Sequence, residues 1–199
     1  MTLTPEEQER HISIWSKAVE TQMHFNEMCV KSRQLGLTFV AAALGVAVVL
    51  LSRGEDFAFP IVDLGFFAFQ LHVAVVLVLG AWGALAAVRG LDLNVYHKML
   101  RGAVTFGEDF EEKYMKQIFD LDKGMTQAIS HYSRYEDADK TISSSGKYQY
   151  VGRNKVTAEE KIRKFYTYTI RFLWVAALAL FLVTNIALWI KYYSNLCAA

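Results

Sequence analysis

Three long apolar segments interrupt an otherwise polar chain, at residues 35–51, 64–88 and 172–190. A helix needs about 20 predominantly apolar residues to cross a bilayer, and 17 is near the lower limit. Residues 1–34 are mostly polar and no small-residue cleavage site follows the first segment, so we expect a retained span and not a cleaved signal peptide. The pattern predicts three transmembrane helices.

The N-terminal segment also has helical features. Thr4 is suited to cap a helix and Pro5 to occupy its first position. Neither Gly nor Pro occurs in residues 6–35, so this helix is expected to continue into the first span. On its apolar face, Gln22 and Asn26 are polar interruptions, which fit either a register-setting contact in an oligomer or a solvated stretch.

The region between the second and third spans is expected to be mainly helical. Apolar residues recur at spacings of three and four from residue 91 to about residue 137. Residues 140–156 are rich in Ser, Gly and Tyr and predict a loop, with a small hairpin at 147–151 as an option. Thr157 followed by Glu160 is a capping box that should start the helix of the third span.

Together these segments predict an all-α membrane protein whose three transmembrane helices have long cytoplasmic helical extensions that form a bundle. Lys and Arg near the span ends set the orientation, because positively charged flanks stay in the cytoplasm. Residues 1–34 and 89–171 are therefore expected in the cytoplasm, and the loop 52–63 and the tail 191–199 outside. The residues behind this assignment are Lys31, Arg33, Arg89, Arg163, Lys164 and Arg171.

Composition agrees with a membrane location and excludes one class of partner. Hydrophobic residues make up 53% of the chain, and the mean hydropathy is +0.19. The 21 Lys and Arg nearly cancel the 20 Asp and Glu, which gives a net charge of +1. Because the chain has no overall positive charge, we expect the lipid bilayer as a partner and no duplex nucleic acid.

No set of residues in the sequence has the spacing of a catalytic, metal or cofactor site. Cys29 and Cys197 are predicted on opposite sides of the membrane, and the five histidines form no paired metal-binding motif. Glycine-rich nucleotide motifs and the hydrolase nucleophile motif are absent from the sequence. The acidic cluster at 108–112 is interpreted as a solvated helix face. We therefore expect a protein that is not an enzyme, with no catalytic residues, cofactor or metal.

Polar residues inside the spans are the most informative candidates for a site, because an unpaired polar group in hydrocarbon is costly. Gln70 and His72 interrupt the second span, and Asn185 interrupts the third. Counted from the span midpoints, His72 and Asn185 each lie four positions toward the outer side and therefore share a level. A hydrogen bond between helices, the lining of a pore, and chance all remain open explanations.

Two further residue groups predict contacts. Small residues four positions apart favour close helix packing and a homo-oligomer; they are Ala41 with Gly45, Gly80 with Ala84, and Gly83 with Ala87. Basic residues gather before the third span, at Arg153, Lys155, Lys161, Arg163, Lys164 and Arg171. Anionic lipid headgroups would explain the basic group, as would a phosphate-bearing ligand beside a helix N-terminus.

The chain resembles the SLATT-type small helical membrane effectors of bacterial antiphage defence, which are encoded beside nucleotide-signal synthases. The resemblance rests on Lys31-Ser32-Arg33, the close pair of spans, and residues 96–104, which read YHKMLRGAV. It covers about residues 10–135, and the third span is a departure from the two-span family pattern. The resemblance implies an oligomeric pore in the bacterial inner membrane, controlled by a partner synthase or its oligonucleotide product. A non-channel membrane scaffold that recruits a soluble partner is the alternative.

Overall fold

The computed structural model describes residues 4–63, 68–121, 123–142, 148–154 and 157–198. The predicted all-α class is confirmed, because helices form most of the described chain. Two short antiparallel hairpins accompany them. In chain order the elements are α1 (Pro5–Leu51), β1 (Ala58–Asp63), β2 (Ala68–His72), α2 (Val73–Leu91), α3 (His97–Phe110), α4 (Lys116–Phe119), α5 (Met125–Arg134), β3 (Tyr135–Ile142), β4 (Tyr148–Asn154) and α6 (Ala158–Ala198).

The chain divides into two compact units. One, called here the polar unit, comprises residues 1–31 and 91–163. The other, the membrane unit, comprises residues 32–90 and 164–199, and all three apolar segments fall within these bounds. Three helical stretches are long and apolar enough to cross a membrane, at Pro5–Ser52, Val73–Met115 and Ala158–Ser194. The protein is therefore a membrane protein with three candidate spanning helices.

Both helix starts that were predicted from capping residues are confirmed. At the start of α1, the Glu7 amide donates to Thr4 Oγ1 at 3.3 Å, and Glu7 Oε2 accepts the Thr4 amide at 2.9 Å. At the start of α6, the Glu160 amide donates to Thr157 Oγ1 at 3.2 Å. Helix α1 then continues without a break to Leu51, as the absence of Gly and Pro before the first span indicated.

The second predicted span, 64–88, is corrected at its start. Residues 68–72 form strand β2, which pairs antiparallel with β1 from Ala58 opposite His72 to Asp63 opposite Ala68. Helix α2 begins only at Val73. Apolar composition alone could not reveal this boundary, because a short run of hydrophobic residues is compatible with either a strand or a helix.

The predicted helix over 91–137 is also interrupted. Single π-helical turns occur at Asp92–Tyr96 and Glu111–Met115, and the helix ends at Phe119. Asp120 follows with φ of 49°, a left-handed conformation that Asp tolerates better than most residues and that stops a helix. After α5, strands β3 and β4 pair from Tyr135 opposite Asn154 to Ile142 opposite Tyr148. The loop predicted over residues 140–156 is therefore wrong where β3 and β4 form, and the hairpin is longer than the one considered at residues 147–151.

Candidate functional site

The membrane unit places Asn185 of α6 against the backbone of strand β2. The Gln70 amide donates to Asn185 Oδ1 at 2.9 Å, and Asn185 Nδ2 donates to the Gln70 carbonyl oxygen at 3.0 Å. The Gln70 side chain adds a third bond, from Nε2 to the Thr184 carbonyl oxygen at 3.2 Å. Asn185 is 2% exposed. Its amide therefore acts toward β2 as a neighbouring strand would, by donating one bond and accepting one.

The hairpin register explains why Gln70 can bond to a helix. Gln70 lies opposite Pro60, which has no amide proton to donate, and the register shifts between Pro60 and Val62. The backbone groups of Gln70 both bond to Asn185, so Gln70 and Pro60 are a non-hydrogen-bonded pair in the antiparallel ladder. Proline at this position therefore leaves no Gln70 backbone group without a partner.

His72 connects the hairpin to the start of α2. Its Nδ1 accepts a hydrogen bond from the Ala74 amide at 3.1 Å, which caps the helix, and its Nε2 lies 3.1 Å from the Gly54 carbonyl oxygen. Through these two contacts the ring joins Gly54 to the first turn of α2. The side chain is buried, at 3% exposure.

These contacts change the expected role of the polar residues in the spans. A hydrogen bond between two helices was one of the open explanations. In the structure, Asn185 of α6 bonds instead to strand β2. His72 bonds to Ala74 and lies beside the Gly54 carbonyl oxygen. His72 lies at the end of β2 and outside the second helix, so its depth cannot be counted along that helix. The lining of a pore by Gln70, His72 or Asn185 stays a prediction.

The small residues predicted to pack helices are not those that pack within the chain. Buried small residues of the membrane unit are Gly36, Ala43, Ala47, Ala74, Ala81 and Ala177. A Cβ on Gly36 would lie 3.1 Å from Val88 of α2, which marks a close approach of two helices. In contrast Gly45 and Gly80 are exposed, and a Cβ on either, or on Gly83, would meet nothing within 4 Å. Ala41 and Ala87 are exposed and Ala84 is half-buried.

The basic residues before the third span do not all remain available to an anion. Arg163 Nη2 donates to Glu159 Oε1 at 2.7 Å, and Glu159 also lies 3.4 Å from Arg101. Lys161, Lys164 and Arg171 are exposed on α6. Arg153 is part of β4, and Lys155 lies outside the described residues.

A buried carboxylate organises the polar unit, and sequence reasoning missed it. Glu111 is fully buried, although it belongs to the acidic cluster that was expected to be a solvated face. Its Oε1 accepts from Trp15 Nε1 and from the Thr126 amide, both at 2.9 Å, and its Oε2 accepts from the Gln127 amide at 3.0 Å. Glu111 therefore caps the N-terminus of α5 from a position 15 residues before Thr126.

Two glycines make room for this arrangement. Gly124 precedes α5, and a Cβ there would overlap the carboxylate of Glu111. Its amide donates to Gln127 Oε1 at 3.2 Å, which is the returning half of a capping box. A Cβ on Gly107 of α3 would overlap the side-chain amide of Gln22. That amide donates to the Ala103 carbonyl oxygen at 3.2 Å, so Gln22, one of two interruptions that suggested an oligomer contact, bonds within its own chain.

The remaining acidic residues border a polar cavity of about 330 Å³ with Lys123, Gln127, Ser130 and His131. Gln127 Nε2 donates to Glu112 Oε2 at 2.7 Å, and Lys116 Nζ lies 2.9 Å from the same oxygen. Burial lowers the pKa of Lys123, and the nearby Lys116 lowers it further. Among the described residues, no group of three or more His, Cys, Asp or Glu side chains could hold a metal ion.

Comparison of the chain with protein-family models, with curated proteins and with solved structures finds no match in any of the three. The SLATT-type resemblance therefore stays a prediction.

Proposed function

We propose that the protein is an oligomeric membrane effector of bacterial antiphage defence that acts as an ion channel. In this proposal it permeabilises the inner membrane when a nucleotide signal or a partner protein releases or activates it. The observation that carries the proposal is the outward position of Gly45 and Gly80, at which a Cβ would meet nothing within 4 Å. The chain thus leaves small-residue helix surfaces uncovered while other small residues pack its own helices.

Such surfaces favour helix association in lipid. Lipid tails are as apolar as leucine side chains, so helices associate in a membrane through close packing at small residues more than through hydrophobic burial. On α1 the exposed pair is Ala41 and Gly45, and on α2 it is Gly80 with the half-buried Ala84. Different surfaces on two helices suit a ring in which each copy contacts two neighbours, and a ring can enclose a pore.

The polar unit is the proposed receiver of the signal. Its cytoplasmic position rests on the basic flanks of the spans. A nucleotide-signal synthase or its oligonucleotide product would bind there, and exposed Lys161 is a candidate phosphate contact. Opening the pore requires that this signal bind the open and closed states with different affinity.

The experiment is the current across a planar bilayer that contains the purified protein, with and without oligonucleotide extract. We expect discrete currents from the unmodified chain and their loss in Gly45→Leu and Gly80→Leu. Val76→Leu is the matched control, because Val76 is 49% exposed on the same helix as Gly80 and already bulky. Silence of the folded, inserted protein under every condition would refute the channel.

A second candidate function is a membrane scaffold that recruits a soluble partner through the polar unit. The observation that favours it is the bonding of Asn185, which donates and accepts inside its own chain. A scaffold should show no current, and its partner should be captured equally well by the unmodified chain and by Gly80→Leu.

A further inference from the structure

A cavity of about 430 Å³ lies in the membrane unit, between the β1–β2 hairpin and α6. Its wall is largely apolar and comes from Leu51 at the end of α1 and from Leu180, Val183 and Leu188 of α6. Residues 180–188 belong to the apolar stretch 172–190 that is long enough to span a bilayer. The surroundings of this wall in a membrane are therefore hydrocarbon chains, and the expected occupant is a lipid.

Part of the cavity wall is polar. Its polar side chains belong to Gln70, His72 and Thr184. The His72 ring is buried, its Nδ1 accepts from the Ala74 amide, and its Nε2 lies 3.1 Å from the Gly54 carbonyl oxygen. Thr184 Oγ1 donates to the Leu180 carbonyl oxygen at 2.9 Å, which leaves its oxygen able to accept.

The Gln70 side chain offers a second acceptor. Its Nε2 donates to the Thr184 carbonyl oxygen. Within the described part of the chain, its Oε1 accepts no hydrogen bond. Gln70 is half-buried, and an amide oxygen gains free energy when it receives a donor, so a hydroxyl group in the cavity would bond to it.

The charges of the wall select among lipids. Among the described residues that line the cavity, none is Asp, Glu, Lys or Arg. A phosphate placed there would lose its hydration without gaining a cation from these residues, and an ammonium group would lose its hydration without gaining a carboxylate from them. The cavity therefore suits a polar group that carries no charge and can donate a hydrogen bond.

We propose that this cavity binds one uncharged lipid that bears a hydroxyl group, of the diacylglycerol class. An acyl chain lies against Leu180, Val183 and Leu188, and the hydroxyl group donates to Gln70 Oε1. This site is separate from the exposed small residues and does not depend on channel activity.

The test is native mass spectrometry of the full chain, released from detergent that contains dioleoylglycerol, dioleoylphosphatidylglycerol or dioleoylphosphatidylethanolamine. The three lipids have the same tails, so differences in binding report the head alone. We expect one dioleoylglycerol per chain and about fivefold to tenfold weaker binding of the two charged lipids, the factor that one or two hydrogen bonds correspond to.

Two variants locate the site. Ala187→Trp should fill the cavity, which Ala187 lines, and abolish dioleoylglycerol binding. Ala179→Trp is the matched control, because Ala179 is exposed on α6 and is not part of the wall. Gln70→Leu keeps the backbone bonds to Asn185 and should remove the preference for dioleoylglycerol while retaining a bound lipid.

Three results would overturn the proposal: no bound lipid on the folded chain, equal binding by the two tryptophan variants, or equal binding of all three lipids by the unmodified chain. Thermal unfolding of each variant in the same detergent shows whether it is folded. Because no current is measured, failure of this site leaves the channel proposal intact, and the reverse also holds.

Discussion

Two buried polar side chains, Glu111 in the polar unit and Asn185 in the membrane unit, solve the same problem with different chemistry. Each side chain bonds to backbone groups of another helix or strand. Those groups have no hydrogen-bond partner within their own element. The start of α5 presents only amide protons, and the Glu111 carboxylate, which only accepts, bonds to two of them. Strand β2 presents an amide and a carbonyl at Gln70, and the Asn185 amide, which donates and accepts, matches both.

The difference shows that the unpaired backbone groups determine which side chain fits. A helix N-terminus favours a negative charge, whereas a strand edge, which presents both an amide and a carbonyl, favours a neutral group with both donor and acceptor. Exchanging the two chemistries should therefore be costly in both units, and most costly where the surroundings are apolar.

Asn185→Asp should have the largest effect. The aspartate would place a charge in an apolar span and set an oxygen against the Gln70 carbonyl oxygen in place of a donor. We expect a loss of about 3 kcal/mol in the free energy of unfolding, measured by denaturant titration in detergent micelles. Thr169→Asp, near the start of the apolar stretch of α6, is the control and should cost less; equal losses would show that the contact with β2 is irrelevant.

Glu111→Gln should come next, with a loss of about 2 kcal/mol in the free energy of unfolding. The amide nitrogen of glutamine replaces one of the two accepting oxygens, so either the bond from Gln127 or the bonds from Trp15 and Thr126 are lost. The same titration measures it, and Glu112→Gln at the neighbouring exposed position should change stability by less than about 1 kcal/mol. A neutral effect of Glu111→Gln would mean that its negative charge has no role at the start of α5.

Gly124→Ala tests the close approach of the backbone to the Glu111 carboxylate at the start of α5. The new Cβ would overlap the Glu111 carboxylate, so we expect a loss of about 1 to 2 kcal/mol, seen as a lower unfolding temperature. Gly102→Ala in α3 is the matched control, because a Cβ there meets nothing within 4 Å and alanine favours helix. It should raise the unfolding temperature slightly, and equal shifts of both variants in one direction would contradict the account.

Thr4→Ala should have the smallest effect, because this cap is exposed. The Thr4 amide and then its hydroxyl lower the pKa of the Glu7 carboxyl. A lowered pKa means that the contact stabilises the helix start at neutral pH and is lost as pH falls through the lowered value. In Thr4→Ala the amide bond remains, so the pKa of Glu7 should rise only part of the way to its ordinary value in a carbon-detected NMR titration. No change would show that the hydroxyl contributes nothing.

Local signals predicted the helices well. Thr4 and Thr157 mark helix starts because their capping interactions involve residues three positions away, and the apolar segments are long enough to identify spans. The break at Asp120 was missed because left-handed Asp depends on the turn that follows it. Asp120 and Gly124 together were the available signal, since Asp and Gly are common at turns.

The site was harder to predict because its contacts join distant parts of the chain. Asn185 was identified from the cost of a polar group in a span, but its partner Gln70 lies 115 positions away. Glu111 resembles its exposed neighbours in sequence, and only the fold buries it against Trp15. Helix α1 also has small residues on more than one face, for example Gly36 and Gly45. Their spacing in the sequence does not show which of them packs against the protein's own helices.

The most direct test of the central claim is the number of copies in one assembly, counted by stepwise photobleaching of singly labelled protein in lipid vesicles at low density. The account predicts several bleaching steps per spot for the unmodified chain and for Val76→Leu, and a single step for Gly80→Leu. A single step for the unmodified, folded chain would contradict the claim that the outward glycines bind further copies.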